Sequence, residues 1–451
     1  MIDFFWNLAS FVVALGILVT VHEYGHFWVA RKNNVKVIRF SIGFGPALWR
    51  KTDKLGTEFV IALIPLGGYV KMLDERVDEV CQQDRDLTFN AKSVYQRIAI
   101  IAAGPMANFV FAIFAFYLMF LIGVPSLKPV IGDVEINSIA SEANLPSNVE
   151  IVEVAGKRTS NWQDVNLALV GKIGDSSVDI KTKASDSQYI TTTTLNLNEW
   201  KFSPENSSSL ASLGITAFRP KVHSEVAHVE KGSPAEKAGL IVGDKLIAIN
   251  EKEINDSWLL FSAQIKLFPE QEVTVYIERN GKPEQVKVTP KGIKRNNQLV
   301  GYLGLAPKFD PWPEGHQIQL AYGPVDAVGQ SINRTWNLVV LSFEMIGKLV
   351  TGDLSVKNLS GPIAIAQGAG SSAGYGFVYF LGFLALISIN LGIINLLPLP
   401  VLDGGHLLYY LIELVSGRPV PEKIQEVGFK FGALALLGLM SIALFNDFSR
   451  L

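Results

Sequence analysis

The chain has 451 residues, room for two to four domains at about 150 residues each. Hydrophobic residues make up 49% and charged ones 18%, and the mean hydropathy is +0.27, too apolar for an ordinary soluble protein of this size. A net charge of −2 offers nucleic acid no attraction, and the single cysteine, Cys81, excludes a disulfide framework and any multi-cysteine zinc site. The composition is that of a membrane protein with a polar middle.

Four uncharged runs carry the membrane segments. Residues 4–21 come first, with His22 and Glu23 directly after them. Residues 98–125, 358–402 (apolar heart 377–397) and 431–446 follow. Runs of this length read as spanning helices, since in lipid only helices and closed barrels satisfy the backbone. Ahead of the first run stands Asp3 and no basic residue, which reads as a span rather than a secretory signal. Arg31, Lys32, Lys36 and Arg39 follow it, so positive charge places residues 31–96 in the cytoplasm. The N-terminus, residues 126 to about 375 and the C-terminus are then expected outside.

In the cytoplasmic loop, residues 35–42 and 58–70 alternate like strands, punctuated by glycine and proline at 43–46 and 65–68. They form either a small cytoplasmic sheet or a membrane-associated hairpin whose polar groups are satisfied by protein or water. The chemistry below favours the second. An exposed edge beside the site would hold an unwound substrate by strand addition, with edge amides expected at positions such as Ile61 and Leu63.

The outer region contains a repeat at an offset of about 95 residues. Ala143-Asn144-Leu145, Ile151 to Val154 and Trp162 align with Ala238-Gly239-Leu240, Leu246 to Ile249 and Trp258. Both copies end alike, in Leu213-Gly214-Ile215 and Leu303-Gly304-Leu305. The second copy resembles PDZ domains of bacterial envelope proteases, which bind peptide tails at a sheet edge. The first departs from it, with Asn144 for Gly239 and Asn148-Val149 for Gly243-Asp244. After the repeat, apolar residues from Leu320 to Ile346 recur at helical spacing. That amphipathic helix lies on the outer membrane surface or braces the repeats.

The chemistry sits at the end of the first span. His22-Glu23-Tyr24-Gly25-His26 is HExxH: on a helix both imidazoles face one zinc ion, with Glu23 beside them as general base. Catalytic zinc needs a third protein ligand. His223, His228 and His316 fall on the other side of the membrane. After the third span, Asp403 or His406 can supply it; Asp403 also reads as an N-cap of the following helix.

Together, HExxH, Gly104-Pro105-x-x-Asn108, Ser360-Gly361-Pro362-Ile363-Ala364 and Asn395-x-x-Pro398-x-Pro400-x-Leu402-Asp403-Gly404 resemble the site-2 protease family of intramembrane zinc metalloproteases. The resemblance covers essentially the whole chain. It implies His22, His26 and Asp403 as zinc ligands, Glu23 as the catalytic base and Asn395 as a substrate- or transition-state-binding residue. It also implies a bacterial inner-membrane protein that cuts transmembrane segments of single-span proteins. Substrates of such members include a pre-trimmed anti-sigma factor of the envelope stress response and remnant signal peptides. The expected fold is a polytopic α-helical membrane protein of four transmembrane helices, with two β-rich periplasmic PDZ domains and a small membrane-associated β region. In order, the expected parts are 1–30 (first span), 31–96 (cytoplasmic loop), 97–125 (second span), 126–220 and 221–308 (PDZ domains), 309–358 (amphipathic helix), 359–402 (third transmembrane region), 403–426 (metal-ligand loop) and 427–451 (fourth span). Two other classes remain open. A metal-ion transporter also places His and Asp in spans, but gives Glu23 no task. An inactive scaffold presenting its PDZ domains is the other, and the intact HExxH argues against it.

Overall fold

A computed structural model describes residues 2–184, 188–200, 208–295, 298–352, 356 and 359–449. Residues form two compact units, Met1–Pro129, Val134–Ile215 and Ile318–Leu451 in one, Val130–Asp133 and Thr216–Gln317 in the other.

Among the described residues, four helices of the first unit are long and apolar enough to cross a membrane: Asp3–Lys32, Val94–Ile122, Phe377–Leu396 and Glu422–Ser449. Each overlaps one of the uncharged runs. The second span opens on a capping box, in which Ser93 accepts from the Gln96 amide while the Gln96 side chain accepts from Ser93. Second and third spans share a core of Ala112, Phe116, Leu381, Ala385 and Ile389. The run at 358–402 is not one element. Helix Pro362–Tyr375 precedes the third span, and Gly376, at φ 120°, breaks the two apart in a backbone conformation open to glycine.

That preceding helix is anchored by the far end of the fourth span. Asp447, 3% exposed, accepts from the backbone amides of Gly361, Ile363 and Ala364 at 2.9–3.1 Å. These are free N–H groups of a helix N-terminus, where a carboxylate is favoured by both hydrogen bonding and the helix dipole. The Asn446 side chain donates to the carbonyls of Val356 and Leu359. The glycine at 361 has its own reason: a Cβ there would crowd the Asp447 carboxylate and the Ala443 backbone.

The amphipathic helix is Pro324–Thr351. Its Ala327 and Leu338 enter the core of the second and third spans. Arg334 pairs with Asp164, and Lys348 bonds the Gly171 carbonyl at 2.8 Å and Asp175 at 3.2 Å. It therefore stands on the spans and also braces the first repeat copy, while Trp336 and Phe343 stay exposed.

The two strands between the first and second spans are Val37–Thr52 and Glu58–Met72, and both bend. Residues 39–42 pair with 58–61 on one side and with 68–71 on the other, while 49–52 pair with 58–61. Two bent strands thus act as four, with 49–52 and 68–72 outermost. This corrects one expectation: Ile61 pairs with both Ile42 and Trp49 and is no edge position. The reversal that Gly43 and Gly45 allow, at φ 92° and 88°, returns the chain along its own partner and covers it.

Each repeat copy runs strand, short strand, helix and strand pair: 149–154, 157–158, 162–170, 177–184 and 190–196 in the first, 245–249, 252–253, 258–266, 273–279 and 282–288 in the second. Local bonds recur. Glu135 N donates to Gly214 O and Ala140 N to Leu213 O in one, Glu230 N to Gly304 O and Ala235 N to Leu303 O in the other. Asn144 and Asn148 take φ 55° and 58°, where Gly239 and Gly243 take 83° and 94°. Asparagine tolerates the left-handed region, so the substitutions keep the turns. In the second unit the sheet order is 282–288, 273–279, 245–249, 222–229, 305–309, which leaves 305–309 on an edge.

Replacing Asp447 by alanine removes the acceptor of three backbone amides at a buried helix end. We expect a loss of about 2 kcal/mol or more in stability, read as thermal unfolding in detergent, with faster hydrogen exchange in residues 361–364.

Candidate active site

The first helix runs unbroken from Ile2 to Lys32, so His22 and His26 lie one turn apart on one face. Both are buried, their ring centroids are 4.8 Å apart, and their Nε2 atoms lie 3.2 Å apart. Asp403 Oδ2 joins them at 3.1 Å from His22 Nε2 and 3.4 Å from His26 Nε2. The set is the group of possible metal ligands found among the described residues. Three ligand atoms on a tetrahedral zinc, each about 2.0 Å from the ion, would sit about 3.3 Å from one another. The observed separations match that triangle. Asp403 Oδ2 is also buried without a well-aligned hydrogen-bond donor, although two ring nitrogens face it. Three electron-pair donors converging on one point are suited to a cation, and these residues fit zinc.

The convergence depends on how closely the second span approaches. A Cβ at Gly25 would collide with the Ala103 carbonyl, and one at Gly104 would collide with the His26 imidazole. The two helices meet backbone to backbone there, which is the role small residues play between membrane helices. The same span orients both imidazoles. His26 Nδ1 pairs with the Ile100 carbonyl at 2.9 Å, and His22 Nδ1 faces the Asn108 side chain at 3.1 Å. Pro105 cannot donate to the carbonyl of Ile101 and loosens that turn.

Asp403 reaches the site through a tight loop. Leu399 N bonds Leu397 O, Leu402 N bonds Leu399 O, and Gly405 N bonds Leu402 O. The new helix, Asp403–Ser416, starts pressed against this loop: Cβ atoms at Gly404 and Gly405 would strike the backbone of residues 396–400. Asp403 is itself the first helical residue, and Leu402 holds the cap position without a side-chain bond, so the N-cap role is excluded. Arg97 of the second span fixes the helix by pairing with Glu413 at 2.7 Å and lying over the Tyr410 ring. His406 does not join the cluster. It packs on Phe429, and burial lowers its pKa below the usual imidazole range, opposed by Asp403.

Glu23 lies one position round the helix, beside the hairpin. A Cβ at Gly68 would come within 3.0 Å of Glu23 Cγ and within 2.8 Å of Val19 Cγ1, so the outermost strand 68–72 runs along the site. Asn395 is the next-to-last residue of the third span, partly buried, with no side-chain hydrogen bond among the described residues. Sequence reasoning gave no task to Gly25, Gly68 or Asn108. The signals were the motifs that contain Gly25 and Asn108, and the small size of Gly68 beside a strand.

Residues 10–439 match the profile of peptidase family M50. The chain belongs to this family. It is 51% identical over 453 residues to protease RseP of Yersinia pestis, and 50% identical over 451 to the regulator of sigma-E protease RseP of Escherichia coli K12. A candidate zinc metalloprotease of Vibrio cholerae is 46% identical over 453 residues. All three alignments cover 100% of both chains. This M50 peptidase is an intramembrane zinc metalloprotease, and the transporter and scaffold readings lapse.

Gly104→Ala inserts a methyl group where the His26 ring lies. We expect zinc retained after a chelator challenge to fall at least tenfold, measured as metal per protein in detergent, while the helix content by circular dichroism is kept.

Proposed function

We propose that His22, His26 and Asp403 hold the zinc, that Glu23 is the general base, and that Asn395 meets the substrate. The observation that carries this reading is the triangle of His22 Nε2, His26 Nε2 and Asp403 Oδ2, with sides of 3.1–3.4 Å. Zinc, when bound, supplies a Lewis acid that lowers the pKa of water and polarises a carbonyl. Glu23 takes the proton of the attacking water on its carboxylate and passes it to the leaving amine. The Asn395 carboxamide, at the end of its helix and without a hydrogen bond among the described residues, donates to the scissile carbonyl or holds the chain beside it.

The substrate is a membrane-spanning helix, whose carbonyls are engaged in bonds to the residue four positions on and wrapped by side chains. It must open before the site can reach a peptide bond. Strand 68–72 holds the opened segment by pairing with it, a role supported by its outer position in the hairpin and its packing beside Glu23. The relatives' names point to regulation of sigma-E, and we infer a single-span anti-sigma factor, already trimmed outside the membrane, as one substrate and signal-peptide remnants as others. The protein then sits in a bacterial inner membrane, with both termini and the repeats in the periplasm. His22 and His26 near the end of the first span, and Asp403 after the third, support that orientation, with the site near the cytoplasmic face. The repeats are read as two PDZ domains that keep untrimmed proteins from the site, by bulk or by binding peptide tails. The shared element order, the paired loop bonds and the edge strand 305–309 support it.

A single-span reporter, with and without its outer domain, tests the reading in membranes. Wild type should cut the trimmed form and leave the untrimmed form intact. Glu23→Gln should keep its zinc and cut at least 100-fold more slowly. Equal rates for the two enzymes would sink the assignment of the base, and equal cutting of both reporters would sink the gate.

The edge has its own test in Tyr69→Pro and Val70→Pro. Neighbouring amides of an edge strand alternate between the ladder and the open side. One proline should therefore weaken the hairpin, and the other should slow cleavage with zinc content unchanged. Unimpaired cleavage by both variants removes the idea.

A further inference from the structure

Asn108 is wholly buried in the second span, and its backbone is fixed by Ser388 Oγ, which donates to the Asn108 carbonyl at 2.8 Å. Its side chain has one neighbour of consequence, with Nδ2 3.1 Å from His22 Nδ1. Its Oδ1 is buried and has no hydrogen-bond partner among the described residues.

This arrangement conflicts with a metal-binding His22. The Nε2 atoms of both histidines point at a shared centre with Asp403, so each must offer a lone pair there and carry its proton on Nδ1. His26 meets that condition, because Nδ1 faces the Ile100 carbonyl, which can only accept. His22 Nδ1–H instead faces an amide NH2, donor against donor. Turning the carboxamide by half a turn exchanges two groups of nearly equal size and puts Oδ1 against Nδ1–H. One polar atom of the amide stays unpaired in either orientation, so burial does not choose between them. The tautomer does.

We propose that Asn108 is a positioning residue for zinc, its Oδ1 accepting from His22 Nδ1–H and fixing the tautomer that leaves Nε2 free to bind the metal. Outer partners of this kind orient a ligand imidazole and raise its basicity. The proposal rests on the reading of His22, His26 and Asp403 as ligands.

The test is zinc affinity of the full-length protein in detergent, measured by competition with a chromophoric chelator. Asn108→Leu keeps the branching at Cγ, in a somewhat larger side chain, but cannot accept, and we expect a 10- to 100-fold loss of affinity. Asn108→Asp can only accept when ionised, and should hold zinc within about threefold of wild type. If leucine matches wild type, or aspartate binds as poorly as leucine, the proposal is wrong. The cobalt-substituted protein gives a second signal, since its visible absorption should change in the leucine variant and return in the aspartate variant. Should the leucine variant fail to fold, nitrogen NMR of the zinc-loaded wild type with labelled histidine decides. A proton on Nδ1 of both His22 and His26 supports the proposal, and its absence from His22 overturns it. If wild type binds no zinc that His22→Ala abolishes, the ligand assignment itself has failed and the proposal falls with it.

Discussion

The first and second spans touch through bare backbone at Gly25 and Gly104, and the rest of the site follows from that approach. With no Cβ at either position, the Ala103 carbonyl and the His26 ring occupy space that any other residue would fill. Closeness then brings the Ile100 carbonyl and the Asn108 side chain to the outer nitrogens of the two imidazoles. In an apolar span these are the polar groups at hand, and an unpaired imidazole nitrogen would be costly there. Packing of small residues and orientation of the two imidazoles are one constraint seen twice.

A second demand is that Asp403, 377 positions after His26, arrive at the same point. The loop 397–402 and the glycines at 404 and 405 make this possible by letting a helix start against its own approach. The Arg97–Glu413 pair then holds the far end of that helix to the second span. Both side chains are largely buried, so the pair contributes more to geometry than to net stability. The fourth span adds its own glycines: Cβ atoms at Gly428 and Gly432 would meet Tyr409 and Pro400. At its other end Asp447 caps the helix before the third span. Arg97, Glu413 and Asp447 thus each meet a partner at a helix end or across to a second helix.

The hairpin 37–72 solves a different problem. A sheet beside lipid has edges to satisfy, and its two strands bend so that each covers part of the other. The outer strand left beside Glu23 is the one with glycine at the contact, Gly68. The outer strand 68–72 is therefore built against the helix face that carries Val19 and Glu23.

Much of this was legible in the residues. Four uncharged runs, the HExxH spacing, the repeat offset and the strand alternation are local patterns, set by the 3.6- and 2-residue periods and by the cost of charge in lipid. Asp403 and His406 stand three residues apart near one loop, so the residues alone kept both open, and it was the family resemblance that singled out Asp403. In the structure Asp403 Oδ2 faces both imidazoles, while helix Asp403–Ser416 turns His406 onto Phe429. Nor could alternation show that Ile61 is inside the sheet, since which strand is outermost depends on a reversal and not on side-chain polarity. Asn108 was seen only as part of a motif; its bearing on His22 needed the second span in place. Local sequence determined which segments are helix, strand or ligand, because those follow from neighbours a few residues away. The tertiary structure alone decided which polar atoms meet, because in a membrane that depends on how near two helix backbones can come.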